Sequence, residues 1–354
     1  MADRYWVGGN GTWNTSATTH WSATSGGASG ASVPTSADNV YFDQAATYTV
    51  TCTGAIRCNN LTISAGTVTF SAGTSPALQI SGSLSISVTI THNASAWGLT
   101  VLFNGTSTQT INIGSNTLSI PTCQFNASGG VWNLQSAFTL ASGCDIQVIS
   151  GTLDTTTSNY AITITGNSTI NVSGGTVNFN SSTVVAGSLI MSAGAMNFSG
   201  SNSVTCRNPT PVNFTGGSFS CSTSTIDCTN NGAVTFVGNG FTFYNVTFSG
   251  SSSEPTITGA NTFNDVTFSG NSTGSTPLNP TIVNSCTFHD VTFTGTIVSP
   301  IFQASCVFNN LTIAGKATYN AYNYVTFYAN QTINGTFTVQ AGSGTIYRTK
   351  IMSD

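Results

Sequence analysis

The sequence predicts an all-β chain folded as a right-handed parallel β-helix or β-solenoid, with an aromatic N-terminal cap and a short C-terminal cap. Three observations carry this prediction. Helical periodicity is nearly missing: no window of a dozen residues sets good helix formers at 3.6-residue spacing. Short β-branched runs, punctuated by Gly, Ser or Asn, recur about every 8–10 residues. An internal repeat of 20–25 residues occupies the second half.

Taken in order, residues 1–45 read as a Trp-rich cap, because they hold three of the five tryptophans. Residues 46–320 read as the solenoid. Tyr48-Thr49-Val50-Thr51, Thr67-Val68-Thr69-Phe70, Thr110-Ile111-Asn112-Ile113 and Ala161-Ile162-Thr163-Ile164 are typical of its strands. The repeat is clearest over 241–315. Phe243-Tyr244-Asn245-Val246-Thr247-Phe248 is followed by Phe263-Asn264-Asp265-Val266-Thr267-Phe268, Phe288-His289-Asp290-Val291-Thr292-Phe293 and Phe308-Asn309-Asn310-Leu311-Thr312-Ile313, at offsets of 20, 25 and 20 residues. Cys58-Asn59-Asn60-Leu61-Thr62-Ile63 is a related unit far upstream.

Within each unit the Val and the second Phe alternate and share a face, while the first Phe breaks alternation. A tight turn at Asn264-Asp265 would return both Phe263 and Val266 to the inside. Stacked coils ~4.8 Å apart would then align equivalent residues in columns. Val246, Val266, Val291 and Leu311 form the expected core column. Asn245, Asp265, Asp290 and Asn310 form the expected turn column, and Cys286 and Cys306 part of another. About a dozen coils would make a rod of ~55–60 Å. Residues 321–354, with Tyr322, Tyr324, Tyr328 and Tyr347, read as a C-terminal cap or contact segment, since an open solenoid end exposes core and strand edges.

Composition narrows the function classes. Charged residues make up 5% of the chain, against about a quarter in an ordinary soluble domain, so the polar surface must be Ser, Thr, Asn and Gly. Six scattered Lys and Arg cannot neutralise a phosphate backbone, which argues against nucleic acid as a partner. No apolar run approaches the ~18 residues a membrane-spanning helix needs. Met1-Ala2-Asp3-Arg4-Tyr5-Trp6 lacks the layout of a secretory signal. Nine cysteines, an odd number without a CxxC pair, fit no tetrahedral zinc pattern and read as buried or stacked thiols.

The N-terminal segment has a legible signature. Tyr5-Trp6-Val7-Gly8-Gly9-Asn10-Gly11-Thr12-Trp13-Asn14 leads to Trp21-Ser22 and then to Val33-Pro34-Thr35-Ser36-Ala37-Asp38-Asn39-Val40. The glycines permit tight turns. Trp6, Trp13 and Trp21 can form a flat lid over the first coil, Pro34 sets an extended approach, and Asp38-Asn39 turn the chain into a strand. This W-x-G-G-x-G-x-W-N, W-S, V-P-x-x-x-D-N-V pattern resembles the opening motif of β-helical repeat regions in tailed-phage structural proteins and autotransporter-type adhesins. The resemblance covers about 40 residues. It implies a parallel solenoid and a non-enzymatic virion surface protein: a tail fibre, a spike or a capsid decoration protein. Other virion proteins, and a host surface glycan, are its expected partners, and trimerisation follows by analogy with β-helical viral spikes. A secreted β-helical adhesin and a polysaccharide depolymerase are the competing readings.

Chemistry-bearing residues are few. Asp265 and Asp290, with His289 beside Asp290, are the one candidate for a catalytic pair or a Ca²⁺ site. Their column also takes Asn245 and Asn310, which favours a structural position, so no catalytic residue, metal or cofactor is expected. His20 reads as a satisfied cap histidine, Asp227 beside Cys228 as structural, and Glu254-Pro255 as a loop tip. Gly270-Asn271-Ser272-Thr273-Gly274 spells G-x-S-x-G, but Ser275-Thr276-Pro277 cannot continue as the helix that a nucleophile elbow needs. Tyr244, Tyr322, Tyr324 and Tyr328 could stack on sugar faces, with packing the competing role.

Overall fold

A computed structural model describes residues 1–72, 77–88, 100–271, 278–295, 298–313, 322–339 and 348–353. Among them there is no helix. The chain is a parallel β-solenoid of about 12 turns. It divides into an N-terminal unit, residues 1–185 with 193–196, and a C-terminal unit, residues 186–192 with 197–354.

In the N-terminal unit, residues one coil apart lie side by side in register. Ile56 pairs with Leu78, Leu78 with Val101, Val101 with Cys123, Cys123 with Ile146 and Ile146 with Ile170. A second column runs Val40, Leu61, Leu84, Ile111, Leu134. Every member of both columns is buried. The strand pleat explains the alternation: Thr169–Val172 and Thr100–Phe103 bury every second residue and leave Thr, Asn and Leu between them half-buried. Corners need tight backbone approach. Gly194, at φ +76°, sits where a Cβ would collide with the Gly175 carbonyl oxygen, so only glycine fits.

The first 45 residues already contribute to this stack. Asp3–Trp6 pairs in parallel with Asn39–Phe42, which pairs with Leu61–Ile63. Gly11–Trp13 pairs in parallel with Thr47–Cys52. Trp21–Ser22 runs antiparallel to Asp3–Trp6. Trp6, Trp13 and Trp21 are fully buried. They do not lie as the flat lid expected from sequence: Trp21 meets Trp6 at 86° and Trp13 at 73°, edge to face. That geometry sets ring edges against ring faces and lets three large side chains share one small volume. Pro34 is buried, and Asp38 follows the turn that leads into Asn39–Phe42.

In the C-terminal unit the sequence columns are observed directly. Val246, Val266, Val291 and Leu311 are neighbours in register and buried. Val204 and Ile226 precede them in the same column, and Phe337 follows Leu311. Asn245, Asp265, Asp290 and Asn310 are likewise in register. They do not occupy a turn. Thr242–Phe248, Thr262–Phe268, Thr287–Phe293 and Val307–Ile313 are continuous strands. Two half-buried or exposed residues separate the buried Phe from the buried Val or Leu in each. A kink inside the strand, rather than a turn between strands, returns both to the core. Glu254 is likewise no loop tip: Glu254–Thr258 is a strand paired with Ala233–Val237.

Strands beyond residue 320 continue the ladders, Phe302 pairing with Phe327 and Tyr322–Phe327 with Arg348–Ser353. His92, Ser272-Thr273-Gly274, Lys316 and Tyr347, and the side chain of Tyr322, lie outside the described residues.

Candidate functional site

Stacking in register places like on like, so a charged column would set equal charges one strand spacing apart, which destabilises a sheet. Neutral amides and hydroxyls avoid this and bond along the column. Gln124 Nε2 donates to Gln147 Oε1 at 2.9 Å. Asn59 and Asn60 donate to Asn39 Oδ1 at 3.1 and 2.9 Å, and Asn39 donates to Asp3 Oδ1 at 2.9 Å. Where single acids occur, donors surround them. Asp154 accepts from Thr156 N–H, Asn178 and Asn180, and Asp145 from the amide and hydroxyl of Thr169. Asp227 accepts from the Ser249 hydroxyl.

Asp265 and Asp290 depart from this pattern. They are register partners, a carboxylate directly over a carboxylate. Asn310 Nδ2 donates to Asp290 Oδ1 at 2.8 Å, with Asn309 Nδ2 at 3.5 Å from the same oxygen. Asp265 Oδ1 is buried and accepts no hydrogen bond among the described residues. His289 fills the gap: its Nδ1 lies 3.5 Å from Asp265 Oδ1 and 3.4 Å from Asp290 Oδ1. The repeat explains how the three meet. His289 follows Phe288 at the position that Tyr244, Asn264 and Asn309 take in the other units, beside the acid column.

His289 also lines an open groove of about 450 Å³, with Thr242, Thr262, Thr287, Tyr244 and Asn309. Its floor is the stacked phenylalanine column, Phe243, Phe263 and Phe288. The sequence placed His289 beside Asp290, but not this groove. Comparing the residues after each repeat Phe would have found its wall. Tyr244 stands here, whereas Tyr324 stands on a strand of a different ladder, and Tyr328 is exposed.

The remaining candidates pack or bond within the fold. His20 stacks on Trp6 at 4.8 Å and 9°, and its Nδ1 lies 2.8 Å from the Val7 carbonyl oxygen. Asp38 accepts from Ala2 N–H at 2.9 Å, Thr35 N–H at 3.0 Å and the Thr35 hydroxyl at 2.7 Å. Burial would raise its pKa, but the Thr35 and Ala2 hydrogen bonds and the nearby Arg4 charge outweigh burial and hold it below the usual carboxylate value. All nine cysteines are buried and outside any disulfide. Cys206 stacks on Cys228, and Cys286 N–H points at Cys306 Sγ, 3.5 Å away. A cavity of about 360 Å³ beside Trp13 and Pro34 has Arg57 as the one charged residue in its lining.

No protein-family model matches the chain, and neither do curated proteins or solved structures.

Proposed function

We propose that the chain is a structural protein of a tailed-phage particle. It would be displayed on the particle surface as a tail fibre, spike or capsid decoration protein, and would serve attachment or particle stabilisation without catalysis. The observation that carries this reading is the Trp6 to Asp38 signature opening directly onto a parallel solenoid. Two properties support it. Each described coil covers its neighbour's backbone edge, which suits a chain exposed to proteases. The surface is poor in charge and hydrogen-bonded along its columns, which suits dense packing against other virion proteins. The threonine-lined groove supports a host surface glycan as a contact, and a homotrimer remains the proposed assembly.

Mass spectrometry of purified particles from the host that carries the gene, with immunogold imaging, tests the proposal. The chain is expected in the particles at structural copy number, with gold on head or tail deciding between decoration and adsorption. Its absence from the particles, together with surface labelling of uninfected bacteria, would overturn the phage reading in favour of an adhesin.

A further inference from the structure

We infer that Asp265, His289 and Asp290 form a binding site for a first-row divalent cation of the Zn²⁺ type. This inference is independent of any virion role. Three facts converge on it. The carboxylate oxygens of Asp265 and Asp290 and one imidazole nitrogen of His289 all lie within 4.8 Å of one another. The two nitrogen-to-oxygen separations are 3.5 and 3.4 Å. A tetrahedral centre with ligands at ~2.1 Å has edges of about 3.4 Å, which the two nitrogen-to-oxygen edges already match, and the third edge, between the carboxylate oxygens, is within 4.8 Å. Finally, Asp265 Oδ1 is buried and accepts no hydrogen bond among the described residues, where His289 Nδ1 at 3.5 Å is its polar neighbour, while the other described strand-borne acids accept hydrogen bonds or face neutral register partners.

The physical argument is one of charge. Stacked carboxylates repel, and the column elsewhere avoids this with asparagine. Two negative charges and an imidazole in one place cost stability unless a cation is shared among them. An imidazole among the donors favours Zn²⁺ and its transition-metal neighbours over Ca²⁺ or Mg²⁺, which prefer all-oxygen sets. The three side chains are 38–58% exposed. An ion there would keep coordination positions for water or for a ligand in the adjoining groove. Asn310, which donates to the same Asp290 Oδ1 that faces His289, would hold that carboxylate in place.

The test is calorimetric titration of the chelator-stripped full chain with zinc chloride near neutral pH. Thermal melting of the same samples provides a second readout. One equivalent is expected to bind and to raise the melting temperature. Asp265→Asn and His289→Gln should each weaken binding by at least about tenfold and abolish the thermal shift. Asp265→Asn extends the amide column and so should fold. Both variants keep all nine thiols, so zinc taken up by cysteine would persist in them and be recognised. Absence of binding at millimolar zinc, or binding unchanged in both variants, would overturn the site.

Discussion

The tryptophan-rich start of the N-terminal unit and the phenylalanine repeats of the C-terminal unit bury aromatic rings by opposite rules. In the repeats, identical residues lie one coil apart, and their rings are nearly parallel. Phe268 stacks on Phe293 at 4.5 Å and 5°, and Phe263 on Phe288 at 5.2 Å and 8°. At the start, Trp6, Trp13, Trp21 and Phe42 come from non-equivalent positions, and the contacts of Trp21 are steep or edge-on. A translational stack is periodic, so one ring's place follows from the last. A steep cluster is particular, and each ring depends on the shapes of the others. The repeats should therefore tolerate local change better than the start does.

The largest expected effect concerns the thiols, which lie in both regions. Burial pushes Cys52, Cys206 and Cys286 up to about 12. Because the thiolate is the reactive form, this lowers labelling by about three orders of magnitude relative to a free thiol. Peptide mapping of alkylation along a denaturant series will show whether Cys52 or Cys286 opens first. Simultaneous labelling of both would mean that the two regions do not differ in stability.

Next in size is Trp21→Ala, expected to cost about 3–5 kcal/mol in chemical denaturation. Its ring is central to the cluster, and its indole N–H has no hydrogen-bond partner among the described residues, so the loss is one of packing. Asp38→Ala should cost about 1–3 kcal/mol by leaving the Ala2 and Thr35 donors unmatched. The sign of its pH dependence follows from its depressed folded pKa. The stabilisation is complete above the unfolded carboxyl value of ~3.9 and is lost as pH falls through the lower folded value. Acid titration of the Asp38→Asn variant should lack that component. The smallest effect is expected for Phe268→Leu, which keeps a similar apolar volume but loses ring stacking, at about 1 kcal/mol. A cost near that of Trp21→Ala would refute the claimed tolerance of the repeats.

Much of this was legible in the sequence, for a reason the comparison makes plain. The columns Val246, Val266, Val291, Leu311 and Asn245, Asp265, Asp290, Asn310 could be aligned because equal spacing in the chain becomes adjacency in space. In the N-terminal unit the same physics operates without the same spelling. Ile56, Leu78, Val101 and Cys123 share only apolar character, so periodicity is present but no repeat stands out. The kink within Thr262–Phe268 was misread as a turn, since Asn and Asp favour both and the sequence does not record whether pairing continues through them. The Asp265, His289, Asp290 cluster was half legible. Its acids were placed by the repeat, whereas the missing donor at Asp265 and the neighbouring groove depend on side-chain directions that no spacing encodes.

The register has a consequence for how such a chain changes its size. Thr242 and Phe243 align with Thr262 and Phe263, 20 residues on. Excising residues 243–262 would join Thr242 to Phe263, recreating the same dipeptide, and would bring Phe236 opposite Ile282 in place of Ile257. A cut of half that length would turn core side chains toward water. Insertions and losses compatible with the fold therefore come as whole turns, and recombination between neighbouring copies is the simplest genetic event that supplies them.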